Sequence, residues 1–368
     1  MTTSASPDPL ALPSGGPTRT VTISDVAREA GVSVMTVSNV VNGKPNVRPQ
    51  TRQRVLDAVE RSGYRVNPLA RALAGGQGRM LSVVTDRLNL PYVTEVLQGA
   101  GQAAEALDYD LAILMMGGRV SPDLSVMSQL SAGALLIQPS FAGGQRLGGL
   151  RRADLPRHTV SIDGPGERTL SVDNYGGARQ AMRHLLELGH TRIGFISGLG
   201  AARPGQGGES LPDTERDDAS ERLRGYRDAM REAGLRVPRG YVQEGDYRKR
   251  SGELATERLL NLSERPTALF VSSDAMAVGA IHVAQDRGLK VPDDLSVIGF
   301  DGLPIAAESR PQLSTVRQPL QRLGGAAVQM LVQLSQGQLA PQPPPFATEL
   351  LVRDSTAPPP LHRHPETR

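Results

Sequence analysis

The sequence predicts an α/β protein, with parallel sheets flanked by helices, behind a small all-α unit at the N-terminus. Three observations predict it. After Gly78, short apolar runs alternate with helical patterns, as in a parallel sheet covered on both faces. Residues 21–75 instead carry helix starts, helix stops and apolar residues at i, i+3, i+4 spacing. Positive charge is also segregated. Ten Lys/Arg stand against four Asp/Glu between Thr18 and Arg79, a net of +6, whereas 31 basic and 33 acidic groups follow.

In the N-terminal unit, Thr22 or Ser24 is suited to cap a helix over Asp25–Ala30, with Asp25 in the first turn where a negative charge suits the helix dipole. Gly31 can take the left-handed conformation that ends it. Ser33 caps a second helix, Val34–Val41, whose Val37, Val40 and Val41 face inward. Met35, Thr36, Ser38, Asn39 and Asn42 are left outward. Small and polar outward residues on the second helix of a tight pair suit entry into a DNA major groove, about 12 Å wide. The alternative is an ordinary helical hairpin inside a larger core; the basic N-terminal setting argues against it. A third helix over Thr51–Ser62 turns Val55, Leu56 and Val59 inward and Arg52, Arg54 and Arg61 outward. Its start, with Arg48, Pro49 and Thr51, offers a hydroxyl and backbone N–H groups to a phosphate.

A fourth helix is expected between Asn67, a good N-cap, and Gly75, a good terminator, with Pro68 at its first position. Two turns are too few to be stable alone in water. Such a segment folds only when something docks on it, which suits a switch. Leu69 and Leu73 can act as a wedge between minor-groove base steps, or the segment is a plain linker helix.

About 270 residues follow, enough for one large or two medium α/β lobes. Expected strands are Leu81–Thr85, Leu111–Met115, Ala134–Ile137, Thr159–Ile162, Arg192–Ile196, Ala268–Val271 and Ser296–Gly299. Expected helices are Val93–Leu107, Gly176–Leu188, Arg222–Ala233, Ser251–Leu262 and Met276–Arg287. Ligands in such sheets bind outside the carboxyl ends of strands. Asp274 and Asp301 each stand just past a strand, placed to accept hydrogen bonds from hydroxyls; Asp274 is equally placed to cap the next helix. The loop after the first strand adds Asp86, Arg87 and Tyr92 as weaker candidates.

Other function classes find little support. There is no cysteine, hence no disulfide, thiolate nucleophile or cysteine-bound zinc. No GxxxxGK[ST] loop is present, and Gly198-Leu199-Gly200 lacks the third glycine of a dinucleotide fingerprint. His184 and His190 flank a leucine-rich helix end, where core or capping roles outweigh metal binding. Trp is absent and aromatic residues make up 3%, which disfavours stacking on single-stranded bases. No enzymatic activity, cofactor or metal is expected. The N-terminus lacks the basic start and apolar run of a signal peptide, so a cytoplasmic protein without a membrane span is expected. Residues 1–18 and 354–368, rich in Pro, Ser and Thr, are expected to be disordered.

Residues 21–76, through ISDVAREAGVSVMTVSNVVNG and VRPQTRQRVLDAVERSGYRVNPLARALAG, resemble the headpiece of the lactose-repressor (LacI/GalR) family of bacterial transcription regulators. RHLLELGHTRIGFISG, SSDAMAVGAIHVAQDRGLKVPDDLSVIGFDG, LSTVRQP and LVQLSQGQ extend the resemblance to about residue 353. It implies a helix-turn-helix domain over 19–66, a hinge helix and linker over 67–78, and a periplasmic-binding-protein-like core over 79–353. That core has two lobes joined by three crossovers and closing on a ligand. The implied partners are a double-stranded, pseudo-palindromic DNA operator, a small-molecule effector (a sugar or related metabolite) and a second copy of the chain, with repression as the implied outcome. Implied DNA-contacting residues are Ser33, Val34, Met35, Thr36, Ser38, Asn39, Asn46, Thr51, Asn67, Ala70 and Leu73. Arg222 matches the family arginine that donates to the effector, and Ser273 stands where a polar ligand contact is frequent; Asp274, Asp301 and Tyr92 complete the set.

The chain also departs from the family pattern. Asn39 occupies a recognition-helix position that is often arginine; arginine reads guanine bidentately, whereas asparagine suits adenine. Leu90-Pro91 replaces an Asn-Pro word, and Arg87 stands where an acid is common. The 198–221 stretch is longer than usual, glycine-rich at its start and acidic at its end; it flanks the cleft mouth or is a disordered insertion. A two-lobed receptor without a DNA reader, and a constitutive architectural DNA-binding protein, are the competing readings.

Overall fold

The computed structural model describes residues 21–41, 43–64, 79–85, 87–115, 131–137, 158–162, 168–199 and 218–360. The chain divides into two compact units, Met1–Gly76 and Gln77–Arg368.

In the first unit, helix α1 (Ile23–Ala30) is held by a reciprocal capping box. Asp25 N–H donates to Thr22 Oγ1 (3.4 Å) and Thr22 N–H donates to Asp25 Oδ2 (3.0 Å), satisfying orphan donors of the first turn. Thr22, rather than Ser24, is therefore the cap. Gly31 ends the helix at φ 62°, where a Cβ is disfavoured. Helices α2 (Val34–Val41) and α3 (Pro49–Ser62) complete the unit. Val26, Val37, Val55 and Ala58 form its fully buried centre. Leu56, expected inside, is 44% exposed. Helix α3 begins two residues earlier than expected, at Pro49, and the inward stripe runs through Val55 and Ala58, rotating Leu56 outward. Arg61 on α3 pairs with Glu29 on α1 at 2.9 Å.

The second unit has two lobes. The first is built on β1 (Met80–Thr85), α4 (Pro91–Ala106), β2 (Asp110–Met115), β3 (Gly133–Ile137), β4 (Thr159–Ile162) and β5 (Thr169–Leu170). Its described strands form one parallel sheet in the order β2-β1-β3-β4-β5. The second lobe contains α5 (Asn174–Glu187), β6 (Ile193–Ser197), α6 (Asp218–Glu232), β7 (Val242–Glu244), α7 (Lys249–Leu260), β8 (Ala268–Val271), α8 (Asp274–Asp286), β9 (Ser296–Asp301), α9 (Pro304–Glu308) and β10 (Ser314–Arg317). Helix α10 (Leu320–Ser335) returns to the first lobe, and β11 (Glu349–Leu351) closes the second sheet in the order β11-β10-β9-β8-β6-β7. The chain thus crosses between lobes three times, before α5, before α10 and before β11. The second sheet is parallel except for its edge pair, β10 with β11.

Neighbouring strand residues face opposite cores. Phe195, Phe270 and Phe300 join Tyr226 and Met182 under α5 and α6. Ile196 and Val271, next to Phe195 and Phe270, and Val297, next to Ile298 of the same core, join Met276 and Ile281 under α7 and α8. Burial on both faces is why these strands read as continuous apolar runs rather than as alternation.

Glycines set how closely the helices approach. A Cβ on Gly99 of α4 would lie 1.9 Å from the Gln321 carbonyl oxygen, and one on Gly324 of α10 would lie 2.0 Å from that of Val96. Helix α10 therefore docks on α4 backbone to backbone, with Leu323, Val328 and Leu331 filling the first-lobe core. The same device joins α7 to α8, where Gly252 and Gly279 face the carbonyls of Met276 and Lys249.

Residues 354–360 correct the expectation of a disordered tail from 354 onward. Ser355 is fully buried. Its hydroxyl donates to the Val297 carbonyl at 2.6 Å and accepts from Ser314 N–H at 2.8 Å. His190, also buried, lies 2.9 Å from both Thr267 Oγ1 and the Ala357 carbonyl, and burial holds its imidazole below its ordinary pKa. The Pro- and Ser-rich composition misled because its polar atoms are satisfied by strand ends distant in sequence.

Replacing Ser355 by alanine leaves a buried carbonyl and a buried N–H without their partner. It is expected to lower the unfolding free energy of the second unit by about 1–3 kcal/mol, as a lower denaturant midpoint at unchanged slope. An unchanged midpoint would show that this segment contributes nothing to the fold.

Candidate functional site

The chain offers two candidate sites, one in each unit. The first is the outer face of α2. Ser33 starts this helix, its Oγ accepting from Thr36 N–H at 3.1 Å. Val37 and Val40 are buried, whereas Val34 is 44% and Met35 69% exposed. Thr36, Ser38 and Asn39 are half-buried beside them. Val34 and Met35 are thus two adjacent large apolar side chains left outside the packed stripe of this helix. Asn46 is exposed in the turn between α2 and α3; Thr51 sits half-buried in the first turn of α3. Asn67, Ala70 and Leu73 lie outside the described residues.

The second site is a cleft in the second unit, partly open to solvent, whose empty space with that open solvent included is about 490 Å³. The first lobe contributes Leu90, Pro91 and Tyr92 at the start of α4. The second contributes Asp218, Arg222, Tyr247, Ser273, Ala275 and Asp301, with Leu303 beside them. Arg222, Ser273, Asp301 and Tyr92 are therefore brought together as expected from the sequence.

Arg222, on α6, is only 2% exposed and is held from several directions. Its Nε donates to Asn174 Oδ1 at 2.9 Å and its Nη1 to the Ser272 carbonyl at 2.6 Å. Its guanidinium stacks 3.9 Å from the centre of the Phe300 ring. The carboxylates of Asp218 and Asp301 lie 3.7 and 4.0 Å away. Asp301, the last residue of β9, adopts φ 117°, unfavourable for any residue with a Cβ. Its Oδ1 accepts from Gln318 Nε2 at 2.7 Å. Burial pushes its pKa up to about 7, against the downward pull of Arg222 and the Gln318 hydrogen bond.

Asp274 corrects an expectation. It does not line the cleft. Nor is it the N-cap of α8: that is Ser273, whose Oγ accepts from Met276 N–H at 3.3 Å. The Asp274 carboxylate is fully buried, accepting from Leu303 N–H at 2.7 Å and Thr315 Oγ1 at 2.5 Å. Gly299 leaves room for it; a Cβ there would lie 2.4 Å from Asp274 Oδ1. Burial, reinforced by the neighbouring Asp301 charge, holds this carboxyl well above the ordinary carboxylate range. It ties strand ends together instead of meeting a ligand.

Asp218 and Tyr247 were missed in the sequence. The Tyr247 hydroxyl donates to Asp218 Oδ2 at 2.8 Å. Its ring crosses Gly198, where a Cβ would lie 1.9 Å from the phenol oxygen, so Gly198 serves this packing and not a dinucleotide turn. The available signals were slight: a tyrosine between two strands in a chain with seven tyrosines, and an acid closing the 198–221 stretch.

A proton-linkage prediction follows from Asp301. Its pKa is about 7 in the fold and near 3.8 unfolded, so the native state holds an extra proton between these values. The contribution of this group to stability is fully present below pH 3.8 and is lost as pH rises toward about 7. Asp301→Asn removes the titration. The loss of thermal midpoint between mildly acidic and mildly alkaline pH is expected to be smaller in the variant than in the parent. Equal pH slopes would place the Asp301 pKa in the ordinary range.

Comparison with known proteins agrees with this division. Residues 22–67 match the family described as bacterial regulatory proteins, lacI family, and residues 182–356 match a periplasmic binding protein-like domain. The chain is 35% identical to catabolite control protein A of Priestia megaterium, over 84% of this chain and 91% of the relative. It is 32% identical to the transcriptional repressor PurR of Photobacterium profundum (85% and 91% covered). It is 31% identical to the repressor CytR of Escherichia coli K12 (91% and 96%). Among solved structures, the lac repressor dimer bound to operator and the anti-inducer ONPF superposes with a TM-score of 0.76 at 27% identity, covering 92% of this chain and all of that one. The CelR–cellobiose complex gives 0.64 at 29% identity, covering 91% and 99%. With a helix-turn-helix headpiece, a two-lobed core and this likeness along most of its length, the chain belongs to the lacI family of bacterial regulatory proteins.

Proposed function

We propose that this protein is a DNA-binding transcription regulator that represses from a pseudo-palindromic operator as a homodimer. A small molecule held in the cleft of its second unit controls its affinity. The single observation that carries the DNA reading is the outer face of α2. It exposes Val34 and Met35, flanked by Thr36, Ser38 and Asn39, on a helix whose opposite face is fully packed. Its dimensions and chemistry suit a major groove, and the segment around it carries the chain's excess positive charge, the footprint of phosphate contact. The lac repressor dimer bound to its operator is a solved relative of this chain.

The proposed units are a reader over 19–66, a hinge over 67–78, with Asn67, Ala70 and Leu73 toward the minor groove, and an effector-binding core from 79. Asn46 and Thr51 add contacts near the phosphates. The effector's hydroxyls donate to Asp301 and exchange hydrogen bonds with Ser273, in a wall that Arg222 organises and against the Tyr92 ring. A ligand shifts the DNA-competent population only through unequal affinity for the two states, and a cleft lined from both lobes gives it that leverage. The protein acts on duplex DNA, hence in the bacterial cytoplasm, and carries no catalytic activity of its own.

Two outcomes test this. Selection of bound sequences from a random duplex pool is expected to recover a palindrome. Asn39→Arg is expected to change the preferred base at one symmetric pair of positions toward guanine, with discrimination of about 1–3 kcal/mol; an unchanged preference would remove Asn39 from base readout. Tyr92→Ala is expected to leave the recovered palindrome unchanged and to weaken the response to any effector that alters operator binding. A full response in that variant would move the effector site elsewhere.

A further inference from the structure

The charge balance of the cleft says what kind of effector it takes. Three charged side chains line it among the described residues: Asp218, Asp301 and Arg222. The single cation is already committed. Its guanidinium is bonded to Asn174 and Ser272, stacked on Phe300, and paired with both lining carboxylates. It is 2% exposed, so little of its edge is open to an entering anion. Other polar groups on the wall are the hydroxyls of Ser273, Tyr92 and Tyr247, and Tyr247 already donates to Asp218. The remaining wall is apolar: Leu90, Pro91, Ala275 and Leu303.

We propose that the cleft selects an uncharged or positively charged polyhydroxylated effector and excludes phosphorylated or carboxylated ones, with Asp218 as the specificity-determining residue. The proposal rests on reading this cleft as the effector site. Asp301 sits at a β9 end fixed by Gln318 and by the backbone turn at Gly302. Asp218 instead starts α6 at the cleft, 18% exposed and backed by Tyr247. A phosphate or carboxylate placed between two acids in a partly desolvated cleft is repelled by both, and no uncommitted lining cation among the described residues offsets that repulsion. Hydroxyl and ammonium donors meet acceptors in the same place. Burial first, and the Asp218 charge to a lesser degree, raise the Asp301 pKa, so negative charge is disfavoured at this position.

The test measures binding to the full-length protein by calorimetry at mildly alkaline pH, where Asp301 is ionised. Matched probes are glucose, glucosamine, glucuronate and glucose phosphate; ribose and ribose phosphate; cytidine and cytidine monophosphate. In at least one series the uncharged or cationic member is expected to bind, with its anionic counterpart weaker by about tenfold or more. Asp218→Asn is expected to narrow that gap at least several-fold, while Tyr247→Phe, which keeps the charge, preserves it. If Asp218→Asn does not fold, added salt provides the second measurement, because screening is expected to narrow the same gap in the parent protein. An anionic member that binds as well as its neutral counterpart overturns the proposal. So does silence from every uncharged and cationic probe at millimolar concentration, and so does a gap that survives both loss of the Asp218 charge and added salt. Operator binding by the same preparation is measured separately, so failure of the regulator reading is distinguishable from failure of this one.

Discussion

A buried guanidinium organises the second unit. Arg222 brings a full positive charge to a place almost without solvent, and such a charge is tolerated only when it is paired and hydrogen-bonded. Its partners come from three different elements: Asn174 at the start of α5, Ser272 after β8, and Phe300 and Asp301 at the end of β9. Satisfying one side chain therefore fixes the relative height of two strand ends and two helix starts, which form the second-lobe wall of the cleft. Below it, Tyr226, Phe195, Phe270 and Phe300 form a ladder of neighbouring rings. Three of the chain's five phenylalanines lie in that ladder, so scarce aromatic material is concentrated under the site.

Two neighbouring buried carboxylates, Asp301 and Asp274, are set differently by the backbone around them. Asp301 ends a strand in a strained conformation with its side chain at the cleft. Asp274, one residue into a helix, turns inward to the Leu303 amide and the Thr315 hydroxyl, in space that Gly299 leaves open. Asp301 lines the cleft, and Asp274 is a brace between the β9 end, β10 and α8. The division also limits charge, because burial keeps the Asp274 carboxyl protonated well above its ordinary range.

The lobes are linked by close backbone contact as well as by side chains. Helix α10 leaves the second sheet, inserts its apolar face into the first-lobe core, and meets α4 where Gly99 and Gly324 permit carbonyl contact. The segment after it returns to the second lobe and is held by Ser355 and by His190. Both lobes are thus built from discontinuous parts of the chain, and movement of one relative to the other is carried at three crossings. That is the architecture a ligand bound between lobes requires if it is to act at a distance.

Much of this was legible in the sequence because the signals were local. Helix caps at Thr22 and Ser33, the stop at Gly31, the valine stripe of α2 and the apolar strand runs depend on neighbours a few residues away, and they emerged within two or three residues of their observed bounds. The segregation of positive charge and the position of Asp301 at a strand end needed nothing more. What the tertiary structure alone decided was long-range pairing. Leu56 is outside because α3 packs against its neighbours through Val55 and Ala58, which leaves Leu56 on the other face; Asp274 is internal because a loop 29 residues later supplies its hydrogen bond. Residues 354–360 are ordered because strands from β9 and β10 present polar ends to them. Tyr247 reaches Asp218 across 29 residues of chain. A sequence states which groups can pair; which ones do is settled by the free energy of leaving each buried group satisfied at once, and that is a property of the folded whole.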